Sequence, residues 1–592
     1  MTGAPRPECL QFAVVVDPSG ASLWQAASVR HLVESEIAQL ALVITASADR
    51  FSSLQSRRKA ACIPWRAFRA TLGRLRSDTR VSPARLGAAD EVREELFSQN
   101  LASAKAAAVG NVPGRAPFDF LLDLSTAGAD LALAEAGRLG IWRFSWGASG
   151  YDREFAGFWE LLGTMGGVDV ALRRIATDAL LQGTILRQGV FPVTGHTYRD
   201  TVERAFAGSL DFPLLACRQA LDDCVSPTQA DVTGVQGAKR SADSRTPNAP
   251  KVLLFFARLL LRKLFWVVRC AFHRVEWDSG IIRRDDINPT ACSTIRKVEW
   301  LRKSDKSHWY EADPFIRRWN QGYALLTETM LRKEQRGVIT AWRILEGRAA
   351  RLGIVLDEKD RHLSYPYLFD VDGTVYCVPE QNETGAIVIY RATEFPTQWI
   401  RVGELISGIK AVDPTLFRYK DYWWLVCTEV WPYDPRHTRY LRARPDSVSR
   451  LQLWYASDLA GPWRPHARNP VKIDARCSRS AGTPFYYDGC LVRPSQDCSR
   501  TYGVKVAFNH IIKLTPTEFE ERNIGELLPD PAGPYPEGLH HVSLSEDVAA
   551  IDGCRLVFDP LAWLGRMRGM RRNRRVSDYT RTSGLSAIPA ES

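Results

Sequence analysis

The chain has 592 residues, with 78 Lys and Arg against 67 Asp and Glu and a net charge of +11. That length exceeds one compact core and implies about two to four domains. With 45% hydrophobic and 24% charged residues, the composition excludes wholesale disorder and collagen-like repeats.

The surplus charge is concentrated at one end. Between Arg566 and Arg581 lie seven Arg and one Asp, so residues 561–592 read as an Arg-rich mobile tail and the remainder is close to neutral. Without an aromatic-interleaved basic surface, zinc finger or helix-turn-helix signature, nucleic acid is not an expected partner. The 12 Cys show no CxxC pair, and Met1 to Val16 runs into an apolar strand with no basic leader or cleavage site. Both features point to a reducing cytoplasm, and no apolar stretch reaches the length of a transmembrane helix. The 18 Trp suit stacking on sugar faces, although buried core is the ordinary place for Trp.

The first 224 residues alternate strands and helices. Phe12–Val16, Ala41–Thr45, Phe118–Ser125 and Gly140–Trp146 read as strands, with helices over Ser22–Glu34 and residues 130–138. That order predicts a parallel sheet covered on both faces, with any ligand outside the carboxyl ends of the strands near Asp17, Asp123 and Ser145. No GxGxxG is present, so a dinucleotide fold is not expected. Residues 225–250 lose all apolar period and read as a flexible linker.

Residues 251–275 then carry Lys251, Arg258, Arg262, Lys263, Arg269 and Arg274 without an acid. This basic amphipathic helix suits either an anionic membrane surface or a place between two domains with its Arg heads reaching outward. From 276 to 560 short aromatic strands are joined by Asp-Gly or Lys-Asp turns, a unit recurring about every 50 to 60 residues. The expected fold is therefore multidomain: an α/β Rossmann-like domain followed by an all-β five-bladed β-propeller. Asp370-Val371-Asp372-Gly373 opens like a calcium loop but lacks the later ligands, and reads as a hairpin turn. His540-His541 lacks further ligands in sequence, so no metal is assigned.

Gly140-Ile141-Trp142-Arg143-Phe144-Ser145-Trp146-Gly147, Gly157-Phe158-Trp159-Glu160, Gly183-Thr184-Ile185-Leu186 and His196-Thr197-Tyr198-Arg199-Asp200 resemble the formyltransferase domain that uses 10-formyltetrahydrofolate. The resemblance implies an Asn and a His polarising the formyl carbonyl, and an Asp managing the amine's proton. Here Arg143 stands at the Asn place and Ser145 at the His place. Leu181 or Gln182 stands at the Asp place, with Asp178 nearby. Neither Arg nor Ser shuttles a proton at neutral pH, so the fold is expected without the standard catalytic set.

A second resemblance covers Asp305 to Glu520. Glu311-Ala312-Asp313-Pro314-Phe315, His362-Leu363-Ser364-Tyr365-Pro366-Tyr367, Val378-Pro379-Glu380, Ile389-Tyr390-Arg391-Ala392 and Arg493-Pro494-Ser495-Gln496-Asp497-Cys498 are among its stretches. These resemble the N-terminal, glycosidase-like domain of plant glucosamine inositolphosphorylceramide transferase and its bacterial relatives. The same region is similar to glycoside hydrolase family 43, which implies an Asp base at Asp313 and an orienting Asp at Asp413. Where the family's acid belongs, the chain reads Ser480-Ala481-Gly482, leaving Glu380, Glu429 or Asp497 as substitutes. Asp313, Asp413 and Glu380 are the catalytic candidates. His362, Tyr365, Arg391, Arg493, Gln496 and Asp497 are the sugar-binding ones.

Three readings follow. The first is a protein of surface-glycan or glycolipid assembly whose propeller binds or processes a sugar, with a sugar or glycolipid partner and no cofactor. The second is a sugar N-formyltransferase that takes 10-formyltetrahydrofolate and has an accessory propeller, and the third a non-catalytic scaffold.

Overall fold

The computed structural model describes residues 9–46, 64–65, 68, 80–81, 118–126, 128–129, 137–147, 150, 153–163, 166–175, 183–223, 247–301, 308–431 and 446–563. Asp178, Leu181 and Gln182, nearly all of the expected linker and the Arg-rich tail lie outside these residues, as does most of the helix expected over 130–138.

The front part is built on a six-stranded sheet. Leu10–Val16, Ala38–Thr45, Phe120–Asp123 and Ile141–Trp146 pair in parallel, as their apolar runs predict. Val168–Ile175 and Thr184–Phe191 extend the sheet antiparallel, which makes it mixed. That corrects the expectation of an all-parallel sheet: Val168–Ile175 runs antiparallel to Ile141–Trp146, and Thr184–Phe191 antiparallel to Val168–Ile175. A formyltransferase-type identity for this part is not shown. Its core is unusually aromatic, with Trp24 edge-on to Phe144 and Trp146 and stacked on Phe206. Much of the chain's Trp content therefore serves packing.

The helix Ala249–Phe272 follows, its N-terminus capped by Asn248, whose side chain accepts from Lys251 N–H. Beyond it stand five sheets, the blades of a five-bladed propeller, antiparallel except where Cys292–Thr294 pairs in parallel with Phe519–Leu528. Blade one comprises His308–Trp319, Gly322–Leu331, Arg336–Leu345 and Arg348–Leu356. Blade two comprises Ser364–Val371, Thr374–Glu380, Ala386–Glu394 and Gln398–Ser407. Blade three is built on Ala411–Tyr419, Tyr422–Glu429 and Arg450–Ala456, and blade four on Cys490–Asp497, Lys505–Leu514 and Phe519–Leu528. The fifth closes the ring: His273–Arg283, before all the others in sequence, pairs along its whole length with Val548–Phe558 near the other end. The two ends of the propeller are thereby joined within one blade.

The turns are those the residues demand. Asp372 and Gly373 both take positive φ, at 49° and 78°, and join their strands as a tight hairpin rather than a calcium loop. Apolar side chains fill the space between blades, for example Phe315, Leu326, Tyr367, Val378 and Leu416 between blades one, two and three.

A carboxylate-lined cavity on the propeller axis

Three neighbouring blades begin with the same device. In Ala312-Asp313-Pro314, Ser364-Tyr365-Pro366 and Val412-Asp413-Pro414 the strand register skips, so that two residues face one on the partner strand. Proline, having no N–H to pair, occupies the second bulge position each time. The residue before it is left-handed, with φ of 49° at Asp313, 45° at Tyr365 and 51° at Asp413. A non-glycine residue there costs about 1–3 kcal/mol, a strain that packing must sustain and that re-aims each side chain.

Asp313 and Glu380 are thereby brought to one cavity of about 190 Å³. Trp277, Tyr310 and Tyr502 give it aromatic walls, and Glu328, His362, Arg479 and His540 complete its charged lining. Tyr502, 45% exposed, stands at the rim. The groups form two linked sets. In the first, Arg479 clasps Asp413 at 2.5 and 3.2 Å and reaches Glu380 at 3.5 Å, while Gln496 Nε2 donates to Asp413 at 2.9 Å. Asp413 is thus bound behind the cavity wall, and its backbone N–H donates to Glu380 (3.3 Å). Burial, and after it the Asp413 carboxylate, push the Glu380 carboxyl up to about 8.

In the second set, His540 Nδ1 lies 2.6 Å from Asp552 and its Nε2 lies 3.4 Å from Asp313. Asp552 also accepts the backbone N–H groups of Asp313, His540 and His541. Burial opposes a charged imidazole, but the Asp552 and Asp313 carboxylates outweigh it and hold His540 at about 9. Burial raises the Asp313 carboxyl well above its ordinary value, and the His540 cation works against that rise. Asp313, His540 and Asp552 present ligand atoms within 4.8 Å of one another, so the set could hold a metal ion as well as a proton-sharing chain.

The remaining sequence candidates are placed as follows. His362 lines the cavity; its Nδ1 accepts from Gly337 N–H (2.9 Å) and its Nε2 faces Glu328 at 3.2 Å. Tyr365 is buried behind the wall, its hydroxyl on Thr415 (2.8 Å) and Gly482 N–H (3.0 Å). Arg391 is exposed on the third strand of blade two, outside the cavity lining. Arg493 is buried within blade four, in a forked pair with Glu521 at 2.6 and 2.9 Å. Gln496 touches Asp413, whereas Asp497 accepts from Ser499 in a turn and lies 3.7 Å from Lys505. In the front sheet Arg143 lies 3.4 Å from Asp123, and the Ser145 hydroxyl accepts from Arg173 (3.0 Å). Asp17 and Asp123, at the strand ends, accept from Thr126 and from Ser125 and Ala129 respectively.

Sequence reasoning passed over Arg479, Glu328 and Asp552, and weighed His540 only as a metal ligand beside His541, assigning it no role. Arg479 lay one residue before the Ser480-Ala481-Gly482 stretch that was searched for an acid. The Asp552 link to Asp313 spans 239 residues, and no spacing rule reaches that far.

Glu380 gives a pH prediction. Its folded pKa, about 8, exceeds the ordinary 4.5, so the folded state holds a proton that the unfolded state has lost between those values. Its contribution to stability is full below about pH 4.5 and falls as pH rises to about 8. Glu380→Gln should remove this fall, so denaturant titrations of parent and variant should diverge across that window.

The fold and the cavity define a five-bladed propeller with an acidic, aromatic site on its axis. Residues 289–531 match the family described as glucosamine inositolphosphorylceramide transferase 1, N-terminal. The rice (japonica) glucosamine inositolphosphorylceramide transferase 1 is 35% identical over 216 residues, 36% of this chain and 27% of that protein. The Arabidopsis thaliana protein of that name is 33% identical over 214 residues, 36% of this chain and 26% of it. The chain thus spans about a quarter of the length of the curated relatives it matches. Among solved structures, a family 117 glycoside hydrolase of Zobellia galactanivorans aligns with TM-score 0.31 and 12% identity, over 47% of this chain and 90% of that one. An α-L-arabinanase of Cellvibrio cellulosa aligns with TM-score 0.27 and 15% identity, over 35% and 76%.

Proposed function

We propose that the axial cavity binds one sugar unit of a glycolipid or surface-glycan intermediate, and that the chain processes it during assembly of such molecules. The observation that carries this reading is the pairing, in one cavity with aromatic walls, of two carboxyl groups with different surroundings. Glu380, held up at about 8, keeps its proton near neutral pH and can give it to a leaving oxygen. Asp313 lies 3.4 Å from His540, whose cation opposes the rise that burial imposes on this carboxyl; in its ionised form Asp313 can accept a proton from an attacking hydroxyl. Water as the attacker gives hydrolysis; a sugar or lipid hydroxyl gives transfer. Glu380 thereby fills the role for which Ser480-Ala481-Gly482 offers no acid. The cavity's size suits a single ring better than an extended chain. Similarity to plant proteins named for glycosylating inositolphosphorylceramide supports a glycolipid as the substrate class.

The formyl-transfer alternative has less support, because Arg143 is engaged with Asp123 and Ser145 with Arg173. The test compares surface glycans and glycolipids by mass in cells with and without the gene, complemented by the parent, Asp313→Asn or Glu380→Gln. The expected result is a change of one sugar unit that the parent restores and neither variant does. Loss of a formyl group, restored by both variants, would sink the reading and move the chemistry to the front sheet. An unchanged glycan profile would leave the scaffold.

A further inference from the structure

The helix Ala249–Phe272 contains no Asp or Glu. It meets the front part along a narrow stripe, where Val252 and Phe255 are buried and Phe256 and Leu259 pack against that core. At 3.6 residues per turn, about 160° of its remaining circumference is apolar. Leu253, Leu260, Leu261, Leu264 and Phe265 stand there in solvent, Leu260 71% and Phe265 67% exposed. So large an exposed apolar strip marks an interaction surface.

Cations border the strip on both edges. On one edge Arg258 and Arg262 donate to the carbonyls of Leu162 and Leu161, which fixes their stems beside the strip, and Lys251 lies over Trp159 at 5.0 Å. On the other edge Lys263 lies over Trp266 at 4.7 Å. A second apolar segment joins at the helix end: Asp559 N–H donates to Phe272 O (2.7 Å), and Phe558, Leu561 and Trp563 are exposed beside it. The sequence then continues into Arg566, Arg568 and Arg571-Arg572. No helix among the described residues is long and apolar enough to cross a membrane.

We infer that the helix Ala249–Phe272, with the Phe558–Trp563 segment at its end, lies in the interface of an anionic lipid bilayer, its apolar strip among the acyl chains and its bordering Lys and Arg at the phosphates. Charge selects this occupant over a second copy of the chain. Two strips packed face to face would bring the same cations together, with no acid on either helix to meet them. The inference stands on this surface alone and does not depend on what the cavity binds.

The test is flotation of the full chain with vesicles of equimolar phosphatidylcholine and phosphatidylglycerol, and with phosphatidylcholine alone. The parent should float with the anionic vesicles, less so in high salt. Leu264→Glu/Phe265→Glu, at exposed sites where the fold is indifferent, should weaken partitioning by roughly a hundredfold. Lys251→Gln/Lys263→Gln should weaken it by about tenfold, and on the anionic vesicles only. Thermal melts matching the parent's show that both variants fold. A parent that floats with neither vesicle overturns the inference, as does a Glu variant that floats like the parent. So does a parent dimer in sedimentation velocity that the Glu variant dissociates and anionic vesicles leave intact.

Discussion

Arg479→Met is expected to destabilise the propeller by about 3–5 kcal/mol, the cost of stranding buried charge. Arg479 lies within 3.5 Å of two buried carboxyl groups, Asp413 and Glu380, which touch each other through the Asp413 N–H. Methionine fills much of the same volume but leaves the Asp413 carboxylate without its counter-charge, while Glu380, held up at about 8, is already protonated near neutral pH. Gln496 still donates to Asp413, and Asn382 to Glu380, yet amide donors do not offset a desolvated negative charge. The melting temperature should fall on the order of 10 °C at neutral pH. The loss should shrink on acidification, where a protonated carboxyl no longer needs the cation. Arg479→Met/Asp413→Asn should recover a large part of it, because the second change removes the stranded charge. Arg479→Lys should fall between, keeping the charge and losing the two-pronged contact with Asp413. A methionine variant that melts with the parent would show that Arg479 is not what holds the two acids.

The propeller was legible because each blade carries its own local signals, aromatic strands of period two closed by turns such as Asp372-Gly373. The front sheet was legible only as far as its parallel strands. Val168–Ile175 and Thr184–Phe191 carry Arg173, Arg174 and Arg187 among their apolar residues, which blurs the strand pattern, and direction is not written in a strand. The site divides in the same way. Asp313, Glu380 and His362 were found because Pro or a short motif marks each one. Arg493 and Gln496 were read as facing ligand because polar residues in a buried strand invite it. In Cys490–Asp497, however, seven of the eight positions are buried, so alternation could not tell cavity from blade interior. Glu521, the partner that engages Arg493, lies two strands away. That pair lies within one blade, whereas the Asp313–Asp552 link joins the first and last blades and is a property of ring closure, which no local window contains.

The second large effect is expected at the seam between the front sheet and the propeller. Arg450 starts a strand of blade three and is almost wholly buried. It reaches Asp211 at 2.6 and 3.2 Å, the Gly208 carbonyl at 3.4 Å and Glu429 at 3.4 Å, and stands 4.4 Å from the centre of the Trp431 ring. Asp211 lies between the helices Tyr198–Gly208 and Phe212–Asp223 of the front part, so this pair crosses the seam. Other ties among the described residues include the backbone hydrogen bonds Ala475 N–H to Val190 O and Val193 N–H to Ser499 O, the His31 ring edge-on to Trp431, and Ile473 inserted into the front core. Arg450→Met leaves Asp211 charged, buried and without its guanidinium, at a cost of about 3–5 kcal/mol. Because that cost falls on the seam and not inside either core, calorimetry should show the parent's coupled transition separating into two, with the front part melting first. Arg450→Met/Asp211→Leu, which removes both charges, should restore coupling in large part. If Arg450→Met instead lowers one undivided transition, the two parts are held by the Val190 and Val193 hydrogen bonds and the His31 and Ile473 contacts, and the ion pair serves blade three alone.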